Sequence, residues 1–245
     1  MSETQVLIPG DLVGSSLLPN AAKRKIGRGL YQLPSSDSHI ATIAGPLSVD
    51  YRKKTAHIAT PNARYVPRAG DLVIAQVRSS GAEMFQLYIN SHSPQTFLPQ
   101  LAFEGATKKT RPQLKSGDLV YAKVVFTGYN METELSCVNP STGKAEPDGL
   151  GPLSGGMVFD VSLGMSERLT KKECMTWLEE LGGKLQGGFE ICVGRNGRIW
   201  VDCPEQGVKG VVAVGRCLRE VDEGLLTEKE AKKAVNRICH ELGIS

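Results

Sequence analysis

The tetrapeptide Gly-Asp-Leu-Val occurs three times, and it constrains the fold of this chain more than any other feature. Its copies begin at Gly10, Gly70 and Gly117. Each joins a Gly-Asp turn to an apolar run, which is a natural start for a strand in a small barrel. The unequal spacing does not fit a solenoid, because solenoid repeats have a fixed period. The three copies therefore predict one local structure that is used three times in a strand-rich region.

Short strand candidates follow one another from about residue 5 to residue 138, with almost no helical periodicity. They are Ile40–Ile43, Pro46–Val49, Thr55–Ile58, Asp71–Val77, Met84–Ile89, Gln95–Pro99, Asp118–Phe126 and Glu134–Val138. Many short strands separated by turns are typical of barrels and sandwiches. We expect an N-terminal β domain over 1–62 and a five-stranded OB-type β-barrel over 63–148, joined at Pro61-Asn62-Ala63-Arg64. Phe85 is expected in the barrel core, while Tyr65, Tyr88 and Phe97 are candidate stacking surfaces for bases.

The last hundred residues have a mixed α/β pattern, and we expect a separate domain over 149–245. Residues 139–156 are rich in Gly, Pro and polar residues, which indicates a linker or long loop. A strand is expected over Met157–Leu163, and Ser166 and Thr170 are candidate helix N-caps, with Met175, Trp177, Leu178 and Leu181 on the apolar face. A helix is expected near Val208–Val221. Thr227 with Glu230 forms a capping box that predicts the start of a last helix. This order of elements is that of a type I KH domain.

The run Gly194-Arg195-Asn196-Gly197 has two interpretations. A Gly-x-x-Gly loop is the backbone clamp of nucleic-acid-binding KH domains, where it lies between two helices. Here the run lies between two alternating segments, 189–193 and 198–202, which favours a β-hairpin. We expect a type I′ turn, with Asn196 and Gly197 at positive φ. The segment that should carry the clamp, Gly164–Lys171, has no Gly-x-x-Gly. The run and nearby Trp200 are therefore predicted to pack against another domain or subunit.

Composition and cysteine usage are those of an ordinary globular protein that stays inside the cell. No apolar run reaches the roughly 20 residues that a membrane helix needs, and the first residues lack a signal-peptide pattern. We therefore expect no membrane partner. The six cysteines include no Cys-x-x-Cys pair, so buried free thiols are expected rather than disulfides or a zinc site.

The net charge of +3 is too small to diagnose nucleic-acid binding, but the basic residues are clustered. Clusters occur at 23–25, at 52–54 and at Lys108, Lys109, Arg111 and Lys115. Any one of them is typical of a solvated surface loop. Three in the first half of the chain favour an anionic partner.

The sequence predicts no catalytic residue, metal ligand or cofactor site. The four histidines are scattered, and no hydrolase triad, His-Glu-x-x-His motif or phosphate-binding P-loop occurs. Asp11, Asp71 and Asp118 each follow a turn glycine, where Asp is used structurally through its side-chain hydrogen bonds. The residues alone leave two functions open, namely a ribonuclease and a free-standing RNA-binding factor with OB and KH domains.

Four stretches together identify a family resemblance over nearly the whole chain. They are Leu7–Asp11, Arg64–Pro67 with Gly70-Asp71, Phe103–Pro112, and Gly194–Val201. With them, the chain resembles the S1- and KH-domain cap subunits of the eukaryotic RNA exosome, of the type called exosome component 3, in a fungal-like version. Each stretch alone is weak, whereas all four in this order are specific.

The resemblance implies a non-catalytic role in RNA processing and decay. Such subunits sit with other cap proteins on a ring of RNase PH-like subunits and help lead RNA 3′ ends into its channel, while separate 3′-to-5′ exoribonucleases degrade the RNA. The implied partners are these proteins and single-stranded RNA, and the implied locations are nucleus, nucleolus and cytoplasm. The candidate RNA contacts are Lys108, Lys109, Arg111 and Lys115, whose charges can bind phosphates, together with Arg64 and Tyr65.

Overall fold

The computed structural model describes residues 5–14, 18, 25–34, 38–52, 54–58, 64–91, 93–128, 131–171, 176–224 and 226–244. The chain divides into two compact units, residues 1–63 and 64–245. The predicted junction at Pro61-Asn62-Ala63 lies outside the described residues.

Short strands and tight turns make up the N-terminal unit. Its strands are β1 (Val6–Leu7), β2 (Leu12–Val13), β3 (Lys25–Ile26), β4 (Leu30–Gln32), β5 (His39–Ala41), β6 (Gly45–Asp50) and β7 (Thr55–Ile58). One sheet has the order β1-β6-β7-β3 and another the order β2-β5-β4. Their buried side chains form one small core that includes Leu7, Val13, Ala56 and Ile58. The predicted N-terminal β domain is confirmed, although β1 to β4 were not predicted individually, because each has only two or three residues.

A closed barrel forms the first part of the second unit. Its strands are β8 (Leu72–Ser80), β9 (Met84–Tyr88), β10 (Thr96–Pro99), β11 (Leu119–Gly128) and β12 (Met131–Ser136). They follow the order β12-β10-β9-β8-β11, and β12 also pairs with β11, which closes the barrel. Phe85, Leu87 and Leu98 are among its buried core residues. The predicted five-stranded barrel and the core position of Phe85 are confirmed.

The three Gly-Asp turns have the same geometry. In each, the glycine has a φ between +93° and +100°, which L side chains rarely adopt. The Asp N–H donates to the carbonyl of the residue three positions earlier, and the Asp carboxylate accepts the N–H of that same residue. The pairs are Asp11 with Ile8, Asp71 with Arg68 and Asp118 with Lys115. The structural role predicted for these aspartates is confirmed.

The prediction of a linker over 139–156 is wrong at its C-terminal end. Strand β13 (Gly151–Leu153) pairs antiparallel with β11, with Leu153 opposite Leu119, and Leu150 is buried in the barrel core. The segment is an edge strand, and an edge tolerates Pro152 because its N–H is not needed by a further strand. The Gly and Pro content that suggested a linker therefore conceals a strand.

A KH domain completes the second unit. Its elements are β14 (Met157–Asp160), α1 (Leu163–Thr170), α2 (Thr176–Lys184), β15 (Glu190–Gly194), β16 (Arg198–Asp202), α3 (Gly207–Glu223) and α4 (Glu228–Glu241). The sheet order is β14-β16-β15, with both pairings antiparallel. Trp177, Leu178 and Leu181 pack in its core, and Thr227 with Glu230 forms the capping box of α4. The type I order of elements is confirmed.

The predicted N-caps of the first KH helices are wrong. The α1 N-cap is Ser162, whose Oγ accepts the Met165 N–H at 3.0 Å. Its own N–H donates to the Asp222 carboxylate at 2.6 Å. Ser166 is buried inside α1, and Thr170 is the last residue of that helix. Ser162, Ser166 and Thr170 are similar N-cap candidates by local sequence. Ser162 is the N-cap because it also bonds to Asp222 on α3. Met175 and Cys174 lie outside the described residues.

The five cysteines within the described part of the chain are free thiols, as predicted. Cys137, Cys203, Cys217 and Cys239 are buried, and Cys192 is half-buried. Burial raises the pKa of Cys217 to about 12 and that of Cys192 to about 11. These side chains are therefore neutral at physiological pH and pack as small apolar groups.

Candidate nucleic-acid interface

The basic loop of the barrel, residues 100–118, connects β10 to β11 and is fixed near both ends. Phe103 is buried and meets Phe85 edge to face, with 6.3 Å between ring centroids. Leu114 is buried in the same core. The Glu104 carboxylate accepts the Ala145 N–H at 2.7 Å. The loop therefore leaves and re-enters the barrel at defined points.

Lys108 and Lys109 lie at the centre of a hydrogen-bonded turn within this loop. The Thr107 N–H donates to the Thr110 hydroxyl at 3.1 Å, and the Arg111 N–H donates to the Thr107 carbonyl at 3.0 Å. Both lysines are exposed, and neither forms an ion pair with any described residue. The turn thus presents two uncompensated cations to solvent.

Arg111 and Lys115 lie on either side of Leu114. The Arg111 guanidinium donates to the Ala82 carbonyl at 3.4 Å, which places it beside the turn between β8 and β9. Lys115 opens the Gly-Asp turn before β11, and its N–H donates to the Asp118 carboxylate at 2.7 Å. Both side chains are exposed. Within the loop, Lys108, Lys109 and Arg111 belong to one short segment, while Lys115 belongs to the next turn.

Arg64 and Tyr65 lie at the other end of β8. The Tyr65 hydroxyl donates to the Asp71 carboxylate at 3.0 Å, and its ring packs against the barrel core. Burial, followed by the nearby Asp71 carboxylate, raises the pKa of Tyr65 far above its ordinary value. Tyr65 bonds to Asp71 directly before β8, whereas Arg111 bonds to Ala82 beyond its end, so these two residues lie at opposite ends of the strand. The structure therefore does not bring Tyr65 and the lysine turn together.

A β-bulge adds a basic residue that the sequence did not single out. The pairing of β8 with β9 shifts between Val77 and Ser79, which leaves Arg78 unpaired in the ladder. Its guanidinium lies over the Tyr88 ring, 5.3 Å from the centroid. One face of Tyr88 is therefore covered by a cation. A shift of pairing register has no sequence signal here, so only the structure identifies this pair.

The Gly194–Gly197 run is a hairpin loop, but its turn is not type I′. Gly194 pairs with Arg198, which leaves three loop residues, and the Gly197 N–H donates to the Gly194 carbonyl at 3.2 Å. Gly197 has a φ of +77°, whereas Asn196 is not among the described residues with positive φ. This is the pattern of a type I turn followed by a left-handed glycine. The predicted two-residue turn is wrong because Asn196 is held by long-range hydrogen bonds.

The side chain of Asn196 binds main-chain groups of the barrel. Its amide nitrogen donates to the carbonyls of Ile74 at 2.9 Å and Ile89 at 2.8 Å, and its oxygen accepts the Ile74 N–H at 3.3 Å. Asn196 is only 3% exposed. The loop that resembles an RNA clamp is thus packed against the barrel through Asn196, and the N–H groups of Arg195 and Gly197 are already hydrogen-bonded within the protein.

The residues around Asn196 also contact the barrel. The Arg195 N–H donates to the Leu72 carbonyl at 2.7 Å, and its guanidinium lies 3.7 Å from the Asp71 carboxylate. A Cβ on Gly194 would lie 2.9 Å from the Ile74 nitrogen. Trp200 is 4% exposed, packs with the barrel core and donates to the Gly155 carbonyl at 3.0 Å.

Helix α1 occupies most of the segment Gly164–Lys171, in which the sequence has no Gly-x-x-Gly clamp. The Ser166 hydroxyl donates to the Gly194 carbonyl, while Met165 and Leu169 pack into the KH core. The described part of this segment therefore supports the hairpin.

The described residues offer neither a metal site nor a membrane-spanning helix. Among them, no group of three or more His, Cys, Asp or Glu side chains could hold a metal ion. No helix in the described ranges is long and apolar enough to cross a membrane.

Comparisons with known proteins agree with these domains. Residues 65–151 match the S1 domain of exosome complex component RRP40, and residues 156–207 match a KH domain family. A solved structure provisionally described as an exosome complex RNA-binding protein has a TM-score of 0.56. It is 27% identical, and the match covers 73% of this chain and 97% of that chain.

Curated relatives extend the match over most of the chain. An exosome complex component rrp40 provisionally assigned in Dictyostelium discoideum is 36% identical over 81% of this chain and 78% of its own length. RRP40 of Drosophila melanogaster is 33% identical over 99% of this chain and 98% of its own length. RRP40 of Saccharomyces cerevisiae is 33% identical over 74% of this chain and 75% of its own length. With the S1 barrel and the KH domain in the same order, the chain belongs to the RRP40 family of exosome complex components.

Proposed function

We propose that this protein is a non-catalytic, RNA-binding cap subunit of the RNA exosome. In this role it stabilises a ring of RNase PH-like subunits, together with other cap subunits, and guides RNA 3′ ends toward the channel. Family membership and the S1-KH domain order support this proposal. RNA degradation is assigned to separate 3′-to-5′ exoribonucleases, and the site of action to the nucleus, nucleolus and cytoplasm.

A finer assignment, to the exosome component 3 type in a fungal-like version, stays a prediction. The relatives from Drosophila and from budding yeast are equally identical to this chain, at 33%. These identities do not favour a fungal source.

One observation carries the RNA-binding part of the proposal, namely the turn that exposes Lys108 and Lys109 with no ion-pair partner among the described residues. Phosphate contacts by Lys and Arg release condensed counterions, which dominates the affinity for single strands. The burial of Phe103 and Leu114 fixes the two ends of the loop on the barrel, so the loop holds these cations at one place on the barrel surface. Arg111 adds a third charge beside the β8–β9 turn.

The burial of the KH hairpin supports the assignment of RNA contact to the barrel. A clamp needs backbone N–H groups that are open to phosphate. Here the Arg195 N–H donates to the Leu72 carbonyl, and the Asn196 side-chain amide donates to the carbonyls of Ile74 and Ile89. We therefore assign RNA contact to the barrel and domain packing to the hairpin.

The test is charge reversal of the loop, with Lys108, Lys109 and Arg111 replaced by Glu in the assembled particle. We expect weaker binding of labelled single-stranded RNA. The slope of log affinity against log salt should shrink by about 0.7 for each phosphate that the variant no longer binds. The matched control reverses Lys209, Arg219 and Lys229, exposed basic residues of α3 and α4, and should bind nearly normally. Unchanged affinity and slope in the loop variant would contradict the proposal.

A nuclease assay separates this function from the enzyme alternative. The purified chain is incubated with labelled RNA and Mg²⁺, or with RNA and inorganic phosphate. We expect intact RNA in both cases. Shortened products that persist through further purification of the chain would identify a ribonuclease.

A further inference from the structure

The N-terminal unit carries the whole net positive charge of the chain. Residues 1–63 contain seven Lys and Arg against four Asp and Glu, and residues 64–245 contain twenty-two of each. The β6–β7 connection supplies the run Arg52-Lys53-Lys54, and Lys25 belongs to a second basic run. The proposed function does not use either run.

Strand pairing places Lys25 beside Lys54. Strand β3 lies parallel to β7 with Lys25 opposite Thr55, and the Lys25 N–H donates to the Lys54 carbonyl at 2.9 Å. Lys25, Arg52 and Lys54 are all exposed. In the described part of the chain, none of the three forms an ion pair. The Asp50 carboxylate lies at the base of this group and accepts the Arg52 N–H at 2.9 Å. Three cations therefore face one carboxylate at this end of the sheet.

An exposed aromatic ring lies in the same turn. Tyr51 is 66% exposed, directly before Arg52. An exposed ring beside cations offers a stacking face together with phosphate contacts, which is how proteins bind single-stranded nucleic acid without sequence preference. An acidic peptide would use the cations but would gain less from the ring.

The backbone of the turn is also unusual. Lys54 has a φ of +52°, and among the described residues it is the only one other than glycine with a positive φ. Glycine or asparagine would occupy this conformation at lower cost. A strained conformation that the structure maintains often marks a functional position, and a lysine here keeps a charge where glycine would fold more easily.

We propose that the turn surface, formed by Tyr51, Arg52, Lys54 and Lys25, is a second contact site for single-stranded RNA. The backbone phosphates lie against the three cations, and one base stacks on the Tyr51 ring. This inference rests on the proposed RNA-binding function and adds a contact in the N-terminal unit to the one in the barrel.

The main test uses the full chain and a fluorescent single-stranded RNA of mixed sequence at about 0.1 M salt. The variant Arg52→Gln with Lys54→Gly removes two charges, and the glycine relieves the strained φ, so the fold should be preserved. We expect affinity to fall about tenfold and the salt slope to shrink by about 1.4. The matched control, Lys209→Gln with Arg219→Gln, should change affinity less than twofold. An equal loss in both variants, or no loss in the turn variant, would overturn the proposal.

A second pair of variants tests the ring itself. Tyr51→Ala should weaken RNA binding about fivefold or more, whereas Tyr51→Phe should bind normally because it keeps the stacking face. Equal affinity of the alanine variant and the wild-type protein would overturn the stacking contact.

Two further measurements separate the possible failures. If the Lys108, Lys109 and Arg111 reversal abolishes binding while the turn variant binds normally, the proposed function stands and this inference fails. If neither the wild-type chain nor the assembled particle that contains it binds RNA, both fail. Anionic vesicles of phosphatidylserine and phosphatidylcholine test the other anionic surface. Vesicle binding that depends on Arg52 and Lys54, with unchanged RNA affinity, would overturn the RNA assignment.

Discussion

Gly194 lies where the KH hairpin and the barrel come closest, and the absence of a side chain there is a packing requirement. A Cβ at this position would meet the Asn196 side chain, the Ile74 nitrogen at 2.9 Å and the Arg198 carbonyl oxygen at 3.0 Å. Two of these neighbours are backbone atoms, which cannot rotate away. The glycine therefore allows Asn196 to reach the main chain of β8.

We expect Gly194→Ala to lower the free energy of unfolding by about 1–3 kcal/mol, because overpacking forces backbone shifts. Gly183→Ala is the matched control, since a Cβ there meets nothing within 4 Å and the residue lies inside α2. That change should be neutral or stabilising. Urea denaturation measures the free energy of unfolding of both variants and of the wild-type protein. A fully folded and assembled Gly194→Ala protein that loses only RNA affinity would contradict the packing role.

The sequence predicted the hairpin at Gly194–Gly197 but not its geometry. Alternating apolar residues on both sides and the Asn-Gly pair suffice for a strand, a turn and a strand. The type of turn depends on Ile74 and Ile89, more than one hundred residues away, which bind the Asn196 side chain. No local pattern can encode that contact.

The capping box of α4 provides a prediction at the scale of one element. The Thr227 N–H and hydroxyl both donate to the Glu230 carboxylate, at 2.9 and 2.7 Å. The bonds to the Thr227 backbone, and then to its side chain, lower the pKa of Glu230 below its ordinary value of 4.5. A lowered pKa in the folded state means that the stabilisation is present above 4.5 and is lost as the pH falls through the lower, folded value.

Glu230→Gln should therefore be less stable than the wild-type protein near pH 7. The difference should shrink as the pH falls from about 4.5 through the lower pKa of the folded state, because the unfolded chain and then the folded protein take up the proton. Thermal unfolding of both proteins at a series of pH values measures this. A difference that is constant from pH 7 to the acid limit would show that the charge of Glu230 is not involved.

Elements differed in how much of them the sequence could predict. The Gly-Asp turns of the barrel were predictable, since both the positive φ and the side-chain hydrogen bond are local. Strand β13 was not, because three residues with Gly and Pro have no strand pattern and depend on β11 for pairing. The α1 N-cap was likewise decided by a distant residue, Asp222.

At the scale of the molecule, the barrel and the KH domain form one compact unit over 64–245. Each of the two tryptophans reports on a different part of it. Trp177 is buried in the KH core, and Trp200 packs with the barrel core. The two residues thus provide separate fluorescence signals within one unit.

We expect both signals to change in a single unfolding transition. In Trp200→Phe the fluorescence comes from Trp177, and in Trp177→Phe it comes from Trp200. In each variant the fluorescence and the far-UV circular dichroism of the main transition should have the same urea midpoint, because coincident probes indicate two-state unfolding. Separate midpoints within either variant would show that the barrel and the KH domain unfold independently.

The most direct test of the proposed function is the purification of the tagged chain from its own cells. We expect it to elute in a complex of several hundred kilodaltons that contains RNase PH-like ring subunits, identified by mass spectrometry. The charge reversal at Lys108, Lys109 and Arg111 should leave this complex intact and weaken its RNA binding. A chain that elutes alone and still binds RNA would contradict the cap assignment and indicate a free-standing RNA-binding factor.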